Sequence, residues 1–124
     1  MTARVVVVGS SNTDMVVPVP HIPGVGETVL GGDLIIAPGG KGANQAVAAA
    51  RLGAEVVFIG AVGNDDFGQK AIKGLNADGI DTSYVKIVDG TPSGVALIMV
   101  DPSGNNSIAV SPGANSRLFP ADIE

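Results

Sequence analysis

Residues 38–53 constrain the fold more than any other stretch: Pro-Gly-Gly-Lys-Gly-Ala-Asn-Gln followed by Ala-Val-Ala-Ala-Ala-Arg-Leu-Gly. The Ala-rich half predicts a helix, because only Val47 is β-branched and Gly53 can end it in a left-handed turn. The glycine half predicts a tight turn that leads into the helix N-terminus. Gly39, Gly40 and Gly42 let backbone N–H groups approach a ligand where a Cβ would block the way. The helix start adds unpaired N–H donors and a partial positive charge. Lys41 adds a full charge, and Asn44, one turn in, can both donate and accept. The stretch reads as a cradle for an oxygen-rich ligand. A glycine-rich cap without a ligand is the plainer alternative, but such a cap needs neither Lys41 nor Asn44. It is not a Walker A loop, since Ile35 and Gly42 stand where Gly and Ser or Thr are required. No Gly-x-Gly-x-x-Gly follows a strand, so the dinucleotide fingerprint is also excluded.

The rest of the chain alternates strands and helices. Val5–Val8 is a β-branched run of the kind expected in a central strand covered on both faces. Gly9-Ser10-Ser11-Asn12-Thr13-Asp14 follows, at the strand end where open α/β sheets bind ligands. An ordinary Asx or Ser turn would use the same residues. Asp14 is the sharper candidate, because a carboxylate can accept from two adjacent hydroxyls at once. Met15–Pro20 and Val29–Ile36 read as extended segments of a hairpin-like excursion, with Pro18, Pro20 and Pro23 suited to an edge. His21, the only histidine, lies in the loop between them and is expected at the surface with no catalytic role.

Glu55–Ala61 predicts a second buried strand, completing a right-handed βαβ unit with parallel strands. A second helix follows, with an Asp cap, a Phe67, Ala71, Ile72 and Leu75 stripe, and Gly79 as its stop. Asp65 and Asp66 could form an acid or metal pair, but capping explains them more simply. Tyr84–Val88, Gly94–Asp101 and Ser107–Ser111 predict three further strands, the last two joined by a hairpin turn. Phe119–Glu124 reads as the first turn of a helix, which leads us to expect a fragment of a larger unit.

Composition narrows the function. The chain has 124 residues, one domain's worth, and at 45% apolar and 15% charged it is globular rather than disordered. A net charge of −5 without a basic stripe argues against nucleic acid as a partner. The absence of Cys excludes disulfides and Cys-based metal sites and fits a reducing compartment, so the expected address is cytoplasmic. The N-terminal apolar run, Val5–Val8, is too short for a signal peptide, and no membrane helix is expected.

Several motifs together resemble the ribokinase group of the PfkB family of sugar and nucleoside kinases. They are Val5–Asp14, Pro23-Gly24-Val25-Gly26-Glu27-Thr28, Gly39–Ala46, Gly94-Val95-Ala96 and Pro112-Gly113-Ala114-Asn115, in the family's order and spacing. The resemblance implies an α/β fold, a ribokinase-like αβα sandwich core carrying a small β-sheet lid. It implies transfer of the ATP γ-phosphoryl group to O5 of D-ribose, with Mg²⁺ and a monovalent cation such as K⁺. It also implies a homodimer whose lids interlock. By position, Asn12 and Asp14 match the family's ribose-hydroxyl ligands; Gly40, Lys41 and Asn44 match its second group of sugar contacts, with Gly39 supporting the turn. Ala96 and Ile98 match lid positions that close over the sugar, and the lid strands fall at about 15–36 and 94–111.

The match is partial. The family's Asp-Thr-x-Gly-Ala-Gly-Asp signature, which supplies the catalytic base and anion hole, does not occur in residues 1–124. Neither do the ATP pocket, the metal-linked Asn-x-x-Glu or the cation loop. No catalytic residue and no metal ligand is therefore expected in this chain, which would supply only the positioning of the acceptor sugar. The expectation is the N-terminal part of a ribose kinase, inactive by itself. The alternatives are a non-catalytic sugar-binding or lid-dimerisation module, or a kinase for another pentose or a nucleoside.

Overall fold

The computed structural model describes residues 2–124. Its centre is the βαβ unit. Strand β1 (Arg4–Val8) and strand β4 (Glu55–Ile59) pair in parallel, Val5 opposite Val56 and Val7 opposite Phe58. Helix α1 (Lys41–Arg51) crosses between them and covers one face. Side chains alternate across a strand, so Val5, Val7, Val56 and Phe58 turn together toward that face. There they meet Ala43 and Ala46 of α1 and Leu75 of helix α2 (Asp66–Ala77). Phe58 and Ala46 are fully buried.

The other face is open. Val6 is 61% exposed and Val8 47%, so the expectation of a first strand covered on both faces is not met. Both helices lie on one side, and nothing among the described residues covers the other.

Small residues let α1 sit tightly on β1. A Cβ on Gly42 would stand 2.8 Å from the Gly9 Cα, and one on Gly9 would stand 2.9 Å from the Gly42 Cα. The backbones touch where the strand ends and the helix begins, and the Ala43 N–H donates to the Ser10 carbonyl at 3.0 Å. Gly40 turns the corner with a φ of 93°, which L side chains rarely adopt. At the far end Gly53 takes the left-handed conformation expected of a helix stop (φ 98°).

The excursions between β1 and α1 and after α2 combine into one four-stranded sheet. Its strands are β2 (Asn12–Pro18), β3 (Ile35–Gly39), β7 (Gly94–Val100) and β8 (Asn106–Ser111), in the order β3-β2-β7-β8. Two antiparallel pairs, β2–β3 and β7–β8, join through parallel pairing of β2 with β7. The third strand differs from the Val29–Ile36 expectation, since it starts at Ile35 and runs into the glycine turn at Gly39. Residues 29–34 form no ladder, and Gly32 instead donates to the Pro18 carbonyl at 2.8 Å. Pro38 sits within β3 without harm, because β3 is an edge strand.

Glu55–Ala61 is likewise not one strand. It breaks at Gly60, and β5 (Ala61–Gly63) leaves to pair in parallel with β6 (Lys86–Val88). A Cβ at Gly60 would stand 2.6 Å from the Phe58 ring and 2.9 Å from the Gly9 carbonyl oxygen, so the chain turns where only glycine fits. Residues 120–122 form a single tight turn beginning at Pro120.

Candidate functional site

Register places the site on one face of the four-stranded sheet. Asn12 lies opposite Gly39 on one side and Gly94 on the other. One pleat further, Asp14 lies between Ala37 and Ala96. The next row is Ile35, Val16, Ile98 and Ile108. Paired residues share a face, so this face runs in steps: Asn between glycines, Asp between alanines, then an aliphatic wall. The two polar side chains stand in a hollow made by the small size of their neighbours. Such a hollow suits a compact ligand with hydroxyls at one end and C–H surface at the other.

Close approach depends on the glycines. A Cβ at Gly39 would fall on the Asp14 carboxylate, and one at Gly94 would fall on Asn12 Oδ1 and Asn115 Nδ2. Gly40 continues directly from this row into α1, and a Cβ there would stand 2.7 Å from the Ser10 carbonyl oxygen. The hollow is thus continuous with the start of α1, where the first-turn N–H groups have no intrahelical acceptor. Lys41 opens the helix and is exposed; Asn44, also exposed, gives its backbone N–H to the Gly40 carbonyl at 2.9 Å.

The expected residues do not all share one cavity. Asn12, Gly39 and Asn44 line a groove of about 810 Å³ between the sheet and the two helices. Asp14, Ala96 and Ile98 belong to the stepped face, while Gly40 and Lys41 form the corner between it and the helix. Asn12 is common to groove and face.

Two hydrogen-bond clusters fix the hollow to the core. Asp65 caps α2, its Oδ1 accepting from the Gly68 N–H at 2.8 Å. The same carboxylate accepts from the Ser93 hydroxyl (2.7 Å) and the Ser93 N–H (2.9 Å). Ser93 Oγ in turn accepts from the Gly63 N–H at 2.8 Å. Ser93 is the residue before Gly94, so this buried knot anchors the start of β7. Burial pushes the Asp65 carboxyl up, but the bonds from Ser93 and Gly68 outweigh it and hold the group below its ordinary value. Asp65 is a cap, as the simpler sequence reading has it. Among the described residues no group of three or more His, Cys, Asp or Glu could hold a metal ion.

The second cluster centres on Asn115, in the tight turn Gly113–Arg117 after β8. Its Oδ1 accepts from the Ser11 N–H at 2.9 Å, and its Nδ2 donates to Asn12 Oδ1 at 2.8 Å. Sequence reasoning placed Asn115 and Gly94 in family motifs without giving either a role. Their meeting depends on pairing between distant strands, which no local signal shows.

His21 lies outside the site, exposed, its Nε2 2.9 Å from Glu27 Oε2. The Gly24 N–H and His21 together hold the Glu27 carboxyl below its ordinary value. No helix among the described residues is long and apolar enough to cross a membrane.

A parallel βαβ core that carries an inserted four-stranded sheet defines an α/β protein. The sequence pattern of the pfkB family carbohydrate kinases matches residues 2–124, and the chain belongs to that family. It is 49% identical to a ribokinase of Bacillus subtilis over 118 residues, covering 95% of this chain and 40% of that protein. Among solved structures it resembles the ribokinase of Giardia lamblia, with a TM-score of 0.91 and 39% identity over 99% of this chain and 37% of the other. It also resembles the Arabidopsis thaliana ribokinase complexed with ribose and ATP, with a TM-score of 0.81 and 38% identity over 93% of this chain and 38% of the other. These matches establish the ribokinase-like α/β fold. The chain spans about 40% of the length of the curated relatives it matches.

Proposed function

We propose that this chain is the sugar-binding part of a kinase that phosphorylates D-ribose to ribose 5-phosphate with ATP. The observation that carries the reading is the stepped face, with Asn12 and Asp14 standing between small residues and closed off by Ile35, Val16 and Ile98. Asp14 accepts from two neighbouring hydroxyls of the sugar, and Asn12 and Asn44 contribute amide hydrogen bonds. The corner at Gly39, Gly40 and Lys41 brings backbone donors and a cation to the hydroxyl edge. Ala96 and Ile98 lie over the C–H face of the ring, and the four-stranded sheet acts as a lid that excludes water. The contribution to catalysis is orientation of the acceptor hydroxyl. The base and the phosphate contacts belong to the rest of the kinase, whose further sheet and helices cover the open Val6 and Val8 face.

The likeness to a ribokinase complexed with ribose and ATP supports ATP as the phosphoryl donor, and Mg²⁺ and K⁺ are part of the proposal. No step is derived through either ion. The opposite face of the sheet, with Met15, Val17, Leu97, Met99 and Ala109, borders an apolar depression of about 430 Å³. That depression supports a homodimer through the lid, and the net charge of −5 and the absence of Cys support a cytoplasmic enzyme without a nucleic-acid partner.

Calorimetric titration of D-ribose into the wild-type chain and an Asp14→Ala variant tests the reading. Losing charge-assisted bonds to two hydroxyls costs about 2–4 kcal/mol of binding, with the far-UV circular dichroism unchanged. Equal ribose affinity in the two proteins would refute the assignment of Asp14.

A further inference from the structure

We propose that Asn115 sets the polarity of Asn12, so that Asn12 meets its ligand as a hydrogen-bond donor. The backbone fixes the assignment. The Ser11 N–H can only donate, so the Asn115 atom facing it at 2.9 Å is the carbonyl oxygen. The other end of Asn115 is therefore its NH₂ group. That group faces the Ser11 and Pro112 carbonyl oxygens, at 3.2 and 3.1 Å, both obligate acceptors. Its shortest bond, 2.8 Å, runs to the Asn12 side chain, and only oxygen can receive it. The Asn12 NH₂ is left pointing away from Asn115, and among the described residues it has no partner, nor is it a buried polar atom left unsatisfied.

The turn that carries Asn115 is itself pinned. Ala114 is fully buried, and its N–H donates to the Pro92 carbonyl at 2.8 Å. Gly94 leaves the gap that the bond crosses, since a Cβ there would fall on both amides. The segments before β7 and after β8 therefore close on the start of β2 through one side-chain pair.

This inference rests on the sugar-binding reading and refines it. Beside Asp14, which accepts from hydroxyl protons, Asn12 donates to a ligand oxygen's lone pair. The two neighbours read a polyol in opposite senses, and Asn115 is the positioning residue that keeps them so.

Exchange of side-chain NH₂ protons in the ¹⁵N-labelled chain tests the polarity without a ligand. The Asn115 NH₂ should exchange at least about tenfold more slowly than that of exposed Asn76, and stay slow in Asn12→Asp, which keeps an oxygen facing it. In Asn12→Ala it should speed up. Ribose affinity then tests the consequence. Asn12→Asp and Asn115→Ala should each weaken binding about tenfold, and Asn115→Ala should add less than about twofold in the Asn12→Ala background. Gly94→Ala, which wedges the pair apart, should mimic Asn115→Ala.

Fast exchange at Asn115 in the wild type, or equal losses from Asn115→Ala in both backgrounds, would overturn the proposal. So would full ribose affinity in a folded Asn115→Ala chain. Slow exchange in a wild-type chain that takes up no ribose upholds the positioning and counts instead against a sugar site complete in this chain.

Discussion

The βαβ unit and the four-stranded sheet solve opposite problems. The unit buries one face against two helices, leaving Phe58 with no exposed surface while Val6 and Val8 stay open on the other. The sheet shows aliphatic surface on both faces: Ile35 and Ile108 on the stepped face, Ile36 and Leu97 on the other, each more than half exposed. Exposed aliphatic area on that scale marks a surface meant to meet something. The contrast teaches where stability and function reside. The core holds the fold, and the sheet, anchored through Asp65–Ser93 and Asn12–Asn115, leaves aliphatic surface open on both faces. Substitutions should therefore divide cleanly between the two.

Phe58→Ala should give the largest effect, about 3–5 kcal/mol lost in urea unfolding, because the cavity opens where β4 meets both helices. A loss below about 1 kcal/mol would mean that the core lies elsewhere. Gly9→Ala should cost about 1–3 kcal/mol by forcing α1 off β1, and should also disturb the Gly40 corner. Asp65→Ala, at the junction of the two regions, should cost about 1–2 kcal/mol near neutral pH. Its pH dependence has a fixed sign. The folded carboxyl sits below its ordinary value, so its contribution is complete above the unfolded carboxyl's range and fades as pH falls through the folded value. Wild type and Asp65→Ala should thus converge in stability in acid; a gap that widens there would contradict the knot. Leu97→Thr, on the sheet face away from Asp14, should stay within about 0.5 kcal/mol and leave ribose binding unchanged.

Local chemistry made much of this legible from the sequence. The glycine corner, the Ala-rich helix, the Asp65 cap and the hairpin about residues 102–105 each follow from propensities within a few residues. The errors came where a distant partner decides. Val29–Ile36 has strand composition, but only Ile35–Gly39 lies opposite β2, so only that part forms a ladder. Val56–Ala61 carries no polar side chain, and its break at Gly60 depends on crowding by Phe58 and Gly9. Asp14 and Asn12 stood out as polar residues at a strand end. Their flanking by Gly39 and Ala37 comes from antiparallel pairing across about twenty-five residues, and by Gly94 and Ala96 from parallel pairing across about eighty, neither of which a local pattern encodes.

Methyl-resolved nuclear magnetic resonance of the chain during D-ribose titration tests the central claim most directly, because the two sheet faces carry different methyl groups. Binding on the stepped face predicts shifts at Ala37, Ala96 and Ile98, with Met15, Leu97 and Met99 unmoved. Shifts confined to Met15, Leu97 and Met99 would place the ligand on the opposite face and contradict the assignment of the site.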